Sequence, residues 1–424
     1  MPPLFAPARS SPGGSDSRIP MLSYTDARQK VIEVAGSIPR PLLRTQVEIE
    51  KAFGRILAEP VLADRDYPPF DRSTRDGFAV RSADAQNPGA HLECVGELRA
   101  GGRLDAPVLP GQCVEIMTGA GVPQGADAVV MIEHTKREGR TITLERAAQK
   151  GDHIVLSGSE ARTGTLLVAQ KTRLGYAEMA LAAQAGATRL DVFAAPRLAI
   201  LSTGDEVVDA RSKPGPLQVR NSNGISIEIL ASTAGAETVQ LGNAPDEISA
   251  LRAAIERGLE QDVLVLSGGV SMGKYDLVEQ VLADLGAEFH FTGVSIRPGR
   301  PAVFGICRNK LVFGLPGNPV STMVTFELFV LPAVDVLSGA IPRPLPVFRA
   351  KLATPVREKG PMTHFLPARI EWEGREARVT QLPWQGSGDI VALALANGFL
   401  IVTPDRPEIA PGEWVDVLPR RGAI

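Results

Sequence analysis

The residues best placed to do chemistry sit in three short glycine-bearing loops, each directly after an apolar run. They are Ser202-Thr203-Gly204-Asp205-Glu206, Ser267 to Asp276, and Gly314-Leu315-Pro316-Gly317-Asn318-Pro319. The fullest stretch is 262–276. There Val263 to Leu266 is uninterrupted and apolar, Gly268, Gly269 and Gly273 follow, and a stripe of Leu277, Val278, Val281, Leu282 and Leu285 starts a helix at Asp276. Such a run reads as a strand buried on both faces of a parallel sheet. The glycines let the backbone turn tightly and approach a ligand, and the hydroxyls of Ser202, Thr203, Ser267 and Ser271 add short polar groups. Backbone N–H groups at strand ends and helix starts then make one anion-accepting rim. Glu206 and Asp276 put carboxylates on that rim, which makes sense where a hard cation such as Mg²⁺ bridges them to a phosphate. Ile296-Arg297-Pro298-Gly299-Arg300-Pro301 adds two guanidiniums on a rigid loop, a geometry suited to tetrahedral oxyanions.

Plainer roles exist for most of these residues. Asp276 with Glu279 spells a D-x-x-E capping box. Asn318-Pro319 reads as an N-cap followed by proline at the first helical position. Asp246 also precedes a helix and suits a cap, Arg297 and Arg300 could be surface charge, Asp76-Gly77 suits a turn, and Met117 to Ala120 suits a hairpin. Gly268 to Tyr275 nearly spells a P-loop, but Tyr275 stands where a Ser or Thr hydroxyl must hold Mg²⁺, which argues against a nucleotide triphosphatase. The five histidines (91, 134, 153, 290, 364) are scattered, and no Ser-His-Asp or Cys-His arrangement stands out.

The elements that must position the loops follow from length and texture. A chain of 424 residues needs two to four domains. Its net charge of −3 and pI near 6.1 argue against a nucleic-acid partner. Cys94, Cys113 and Cys307 are too far apart for a disulfide framework or a zinc site and suit a reducing cytoplasm. Residues 1–20 are rich in Pro, Ser and Gly and are expected to be a disordered tail, with no signal-peptide core. No run reaches the roughly 18 apolar residues of a membrane helix, so no membrane partner is expected. Helical spacing appears at 23–36, within 47–57 and at 174–187. Short apolar runs between Gly and Pro fill 58–162. From Arg197 strands and helices alternate up to a helix from Pro319 to about Val336, the pattern of a doubly wound α/β domain. After a Pro-rich linker at 341–346 the chain reads as strands to its end.

Taken together, DRSTRDGFAVR (71–81), MTGA (117–120), LSTGDEVV (201–208), RNSN (220–223), SGGVSMGKYD (267–276), IRPGRP (296–301), GLPGNPVS (314–321), WQGSGDI (384–390) and ALANG (394–398) resemble the MoeA family. These are molybdopterin molybdenumtransferases related to the gephyrin and Cnx1 E domains. The resemblance runs from about residue 22 to the C-terminus. It implies an α/β plus β multidomain fold. An elongated helical domain would span 21–57 and 163–195, with a β-rich domain inserted at 58–162. A doubly wound α/β domain similar to MogA and MoaB would span 196–338, and a C-terminal β-barrel 339–424. It also implies a cytoplasmic homodimer that inserts molybdate into adenylylated molybdopterin with Mg²⁺, releasing AMP and molybdenum cofactor. A MogA-type adenylyltransferase and molybdoenzyme chaperones would be partners.

Carried over residue by residue, the resemblance makes Asp76, Thr118, Glu206, Asp246 and Asp276 catalytic, with Asp76, Glu206 and Asp276 holding the metal. Substrate would be bound by Ser202, Thr203, Gly204, Asn223, Ser267, Gly268, Gly269, Ser271, Arg297, Arg300, Pro316, Gly317, Asn318 and Pro319. The chain departs from the family pattern in several places. Arg297 and Arg300 stand where lysines are usual, Val155 where an arginine is usual, Glu160 where an aspartate is usual, and Leu277 where a tyrosine is common. Val155 and Ser157 keep open a second reading, a degenerate paralogue that binds molybdopterin or scaffolds partners without the insertion chemistry.

Overall fold

A computed structural model describes residues 21–269 and 277–422. The chain separates into two units, one of residues 45–192 and one joining the chain up to Arg44 with Phe193 onward. Each is described by itself.

The unit of residues 45–192 is built on a six-stranded sheet. Its order is Ala128–Met131, Gly77–Val80, Gln112–Ile116, His91–Leu98, Thr141–Leu144, Thr135–Glu138. Gly77–Val80 is buried along its whole length and antiparallel to both neighbours. Its alternation splits the core: Phe78 and Val80 pack on one face, Ala79 on the other, as the two-residue period of a strand requires. Glycine is needed at 77 because a Cβ there would lie 2.0 Å from the Val130 carbonyl oxygen. A second core forms around Ala52, Leu57, Leu174 and Val192 beneath the helix Tyr176–Gln184. The helix expected within 47–57 does not form. The chain runs as a strand, Arg44–Glu48, into a single 3-10 turn, Ile49–Lys51. Tertiary pairing overrides local propensity there: the N–H groups of Gly54 and Leu57 donate to the carbonyls of Leu174 (2.8 Å) and Thr172 (2.9 Å).

The larger unit carries the α/β layer. Its strands are β1 (Arg197–Thr203), β2 (Glu237–Ala244), β3 (Val263–Ser267), β4 (Glu288–Phe291), β5 (Val303–Cys307) and β6 (Lys310–Leu315), in the order β2-β1-β3-β6-β5-β4. The first four in that order are parallel, and β5 and β4 close the edge antiparallel. Helices α1 (Ser222–Ala234), α2 (Ile248–Gly258), α3 (Leu277–Asp284) and α4, which begins at Pro319, cover both faces. Leu198, Ile200, Val263 and Val265 pack with Ile227 and Ala231 of α1 and with Val320 and Val324 of α4. Ala199, Leu201, Leu264 and Leu266 pack with Leu251 and Ile255 of α2 and with Val278 and Val281 of α3. The sheet is doubly wound.

From Pro319 the chain stays helical to Leu337, with one π-helical stretch at Phe326–Val330. By length and mean hydropathy this 19-residue helix could cross a membrane, but polar residues such as Glu327 and Asp335 interrupt its apolar run and 89% of its most apolar 18-residue window is buried inside the protein. It is a core helix.

Five strands, β7 (Phe348–Leu352), β8 (Thr363–Glu373), β9 (Glu376–Gln381), β10 (Gly398–Val402) and β11 (Trp414–Pro419), form a closed barrel. The order is β8-β9-β7-β11-β10, and β10 pairs back onto β8. The helix Tyr24–Ser37 is capped by Ser23, whose hydroxyl accepts the Asp26 N–H at 3.1 Å. It sets Ala27, Val31, Val34 and Ala35 into a core shared by the α/β sheet and the barrel residues Phe365 and Ile401.

Candidate functional site

From β1 the chain crosses through α1 to β2 on one side, and from β2 through α2 to β3 on the other. The carboxyl ends of β1 and β3 therefore stand at the point where the winding reverses, where open α/β sheets take their ligands. A cleft of about 600 Å³ opens there, and all three loops singled out in the sequence line it. From the first come Ser202, Thr203, Gly204 and Glu206, from the second Ser267, Gly268 and Gly269, and from the third Pro316, Gly317, Asn318 and Pro319. Gly268 and Gly269 take φ values of +94° and +64°, open to glycine at little cost. A Cβ on Gly268 would meet the Thr203 carbonyl oxygen at 2.7 Å, and one on Gly269 the Thr203 Oγ1 at 2.8 Å. The two strand ends are in direct contact, and only glycine fits between them.

The floor of the cleft is polar and buried. Asn223, in the first turn of α1, donates through Nδ2 to Ser267 Oγ at 2.9 Å and to the Gly317 carbonyl at 2.8 Å, joining all three segments. Ser202, Thr203, Ser267 and Asn223 are all at most 9% exposed. Of these, Ser202 Oγ, Thr203 Oγ1 and Asn223 Oδ1 have no hydrogen-bond partner among the described residues. An unsatisfied buried polar atom costs about 1–3 kcal/mol, so three lining one cleft are a stored demand for ligand hydrogen bonds.

Two carboxylates stand on the rim. The Asp246 carboxyl is pushed above the usual carboxylate range, first by partial burial, then by the charges of Asp205 and Glu206, while its own N–H donates to Asp205 Oδ1 at 3.1 Å. Asp246 does not cap α2, whose N-cap is Glu247 with no side-chain cap bond. Asn318 stands at the N-cap of α4 with Pro319 following, as the sequence reads, but its side chain makes no cap bond: its Nδ2 donates to Ser387 Oγ at 2.8 Å, holding the barrel's Ser387-Gly388 loop at the cleft wall.

In the other unit, Asp76 Oδ1 accepts both the N–H and the Oγ1–H of Thr118, each at 2.7 Å. These bonds hold the Asp76 carboxyl below the usual carboxylate range. The Met117 to Ala120 segment is a turn braced on the 71–81 stretch, with Gly119 N donating to the Ser73 carbonyl at 2.8 Å and Ser73 N to the Ala120 carbonyl at 3.0 Å. Where the sequence departs from the family pattern, Glu160 ion-pairs with Arg72 at 2.9 Å, Ser157 N donates to Asp71 Oδ1 at 2.7 Å, and Val155 lies opposite Arg72 in a strand pair.

Three family models cover most of the chain. Residues 22–186 match the MoeA N-terminal region (domain I and II), 199–336 a probable molybdopterin binding domain, and 349–419 the MoeA C-terminal region (domain IV). The molybdopterin molybdenumtransferase of Staphylococcus aureus is 31% identical over 398 residues, covering 93% of this chain and 94% of that one. That of a Nostoc species is 36% identical over 337 residues, covering 78% and 77%. The crystal structure of a molybdopterin biosynthesis moeA protein from Pyrococcus horikoshii superposes with a TM-score of 0.79 at 27% identity, over 95% of this chain and all of that one. The chain belongs to the MoeA family.

Within this MoeA chain the remaining candidates fall as follows. Arg297 and Arg300 are exposed, and of their loop only Pro301 lines the cleft. Asp276 and Ser271 lie outside the described residues, as does the rest of the near-P-loop run from position 270 to 275. Among the described residues no three His, Cys, Asp or Glu side chains group to hold a metal. Sequence reasoning missed an arm formed by 207–208 paired with 219–220, which brings Val207, Val219 and Arg220 to the cleft. The only signal for it was that Arg220 opens the same RNSN run as Asn223.

Proposed function

We propose that this MoeA-family chain is a molybdopterin molybdenumtransferase of molybdenum cofactor biosynthesis, inserting molybdate into adenylylated molybdopterin and releasing AMP. The observation that carries this reading is the polar, buried floor of the cleft, where Ser202 Oγ, Thr203 Oγ1 and Asn223 Oδ1 have no hydrogen-bond partner among the described residues. A rigid, polar heterocycle with a phosphate supplies the donors and acceptors such a floor lacks.

The rim fits a divalent cation. Partial burial first, and then the charges of Asp205 and Glu206, raise the Asp246 carboxyl, and the like-charge part of that shift is what a bound cation relieves. Glu206 and Asp246 would hold Mg²⁺, with Asp276 and Asp76 as the further acidic candidates the resemblance supplies. When bound, Mg²⁺ supplies charge neutralisation at the phosphoanhydride. The chain's own residues do the rest. The hydroxyls of Ser202 and Thr203 and the amide of Asn223 orient the ligand. Asp246, raised by partial burial and by its acidic neighbours, adds a second carboxyl beside Glu206. Asp76, held ionised by Thr118, keeps a fixed negative charge. The homodimer belongs to the same proposal, and the mass of the purified protein in solution tests it.

The direct test supplies adenylylated molybdopterin, molybdate and Mg²⁺ and follows AMP. Molybdate-dependent AMP release with cofactor formation is expected. Tight binding of the substrate with no release would overturn the transferase and leave the degenerate, binding paralogue.

A further inference from the structure

The cleft has a charge problem. Its lining includes Glu206 and Asp246, yet its proposed ligand is anionic. Among the described lining residues Arg220 is the one cation. It stands at the end of the arm that the sequence did not reveal. Val207-Val208 pairs in parallel with Val219-Arg220. The crossing is pinned by Val219 N donating to the Glu206 carbonyl and Asn221 N to the Val208 carbonyl, both at 2.8 Å. The arm thus fixes Arg220 between Glu206 and the helix that carries Asn223.

The Arg220 side chain is exposed and forms no ion pair with a described carboxylate. Its Nε donates to the Ser212 carbonyl at 3.0 Å, inside the arm. That bond steadies the guanidinium and leaves its two Nη groups free of hydrogen-bond partners among the described residues. A planar fork with one nitrogen anchored and two open suits bidentate capture of a phosphate. On the floor of the cleft the buried Ser202 Oγ, Thr203 Oγ1 and Asn223 Oδ1, unpartnered among the described residues, mark where the uncharged part of a ligand is satisfied.

We propose that Arg220 is the anion-binding residue of this cleft, gripping a phosphate of the substrate while the Ser202–Thr203–Asn223 floor holds its neutral part. This rests on the transferase reading for the identity of the substrate, though not for the existence of the grip. The arm is then a specificity element: it selects the phosphorylated form of the ligand over the bare heterocycle.

The test compares wild type, Arg220→Ala, Arg220→Lys and the arm control Lys213→Ala, whose side chain does not line the cleft. Binding of adenylylated molybdopterin is measured by calorimetry without molybdate, and KM and kcat by AMP release with it. Loss of a charge-assisted hydrogen bond predicts weakening of about 10- to 100-fold in Kd and KM for Arg220→Ala, with kcat little changed. Arg220→Lys should recover part of the loss, and Lys213→Ala should match wild type. The salt dependence of binding should be shallower in Arg220→Ala. Equal affinities of Arg220→Ala and wild type, or losses equal in Arg220→Lys and Arg220→Ala, would overturn the proposal while leaving the transferase intact. Wild-type binding that depends on Arg220 but yields no AMP would overturn the transferase and leave this grip standing.

Discussion

Two aspartates of this chain show how the same side chain is tuned in opposite directions by what it touches. Asp246 is pushed up by partial burial and by the charges of Asp205 and Glu206, so its charged form is disfavoured. Asp76 is pulled down because the backbone and hydroxyl of Thr118 both donate to Oδ1, so it stays charged. The sign for Asp76 is that of a lowered folded value. Its favourable contribution is full above the ordinary carboxylate range and is lost as the pH falls through the folded value. Thr118→Val keeps the shape and deletes one of the two donors. The Asp76 carboxyl, followed by NMR in labelled protein, should then titrate at a higher pH than in wild type. AMP release should lose its acid side earlier if the ionised form is the working one. An unmoved Asp76 midpoint would mean the backbone bond alone sets the charge. The sequence placed both residues through the motifs DRSTRDGFAVR and MTGA; it could not show that they are bonded to each other, because 42 positions of chain separate them.

At the scale of elements, what was legible was what local pattern determines. Apolar runs gave β1, β3 and β6, and glycines with small hydroxyls immediately after them gave the three loops that line the cleft. Three features were not legible. The 47–57 segment was lost to backbone pairing with 172–174. The short helix Ile390–Leu395 depends on Asp389 accepting the Ala392 N–H at 2.9 Å, a cap inside the C-terminal stretch that reads as strands. The Arg220 arm is exposed and has no apolar period. Two glycines test how the loops are held. Gly268 has φ +94° and would place a Cβ 2.7 Å from the Thr203 carbonyl oxygen, whereas Gly242 has φ +83° with open space around it. Gly242→Ala therefore meets only the left-handed backbone cost, about 1 kcal/mol. Gly268→Ala meets that cost plus a contact that forces β1 and β3 apart, for a total of about 2–4 kcal/mol, and should abolish ligand binding. Chemical denaturation of both variants, with calorimetric binding on each, separates the two. Equal losses would mean the close approach of the strand ends can relax freely.

At the scale of the whole molecule, the larger unit is tied together by a buried charge. Asp335 is fully buried in the helix that runs from Pro319 to Leu337. Its carboxylate takes Arg343 Nη2 at 2.6 Å, Nε at 2.9 Å and the Arg343 backbone N–H at 3.0 Å, which anchors the linker leading into the barrel. Arg28, from the helix Tyr24–Ser37, donates to the carbonyls of Leu328 (3.1 Å) and Arg343. The N-terminal helix, about 300 residues away in sequence, thus meets the core helix and its linker at one guanidinium–carboxylate pair. Taking a partner from a buried ion pair costs about 3–5 kcal/mol, because a charge is left in a place that cannot solvate it, whereas removing both charges costs far less. Arg343→Met should therefore be destabilised by about 3–5 kcal/mol, and the double variant Asp335→Leu/Arg343→Met should recover most of that. All three tryptophans, Trp372, Trp384 and Trp414, lie in this unit and none in residues 45–192. Tryptophan fluorescence during urea unfolding therefore reports the affected unit alone. A fluorescence midpoint that falls in Arg343→Met and returns in the double variant is the expected outcome. A double variant as unstable as the single one would mean that the linker is held by packing at Arg343 and not by its charge.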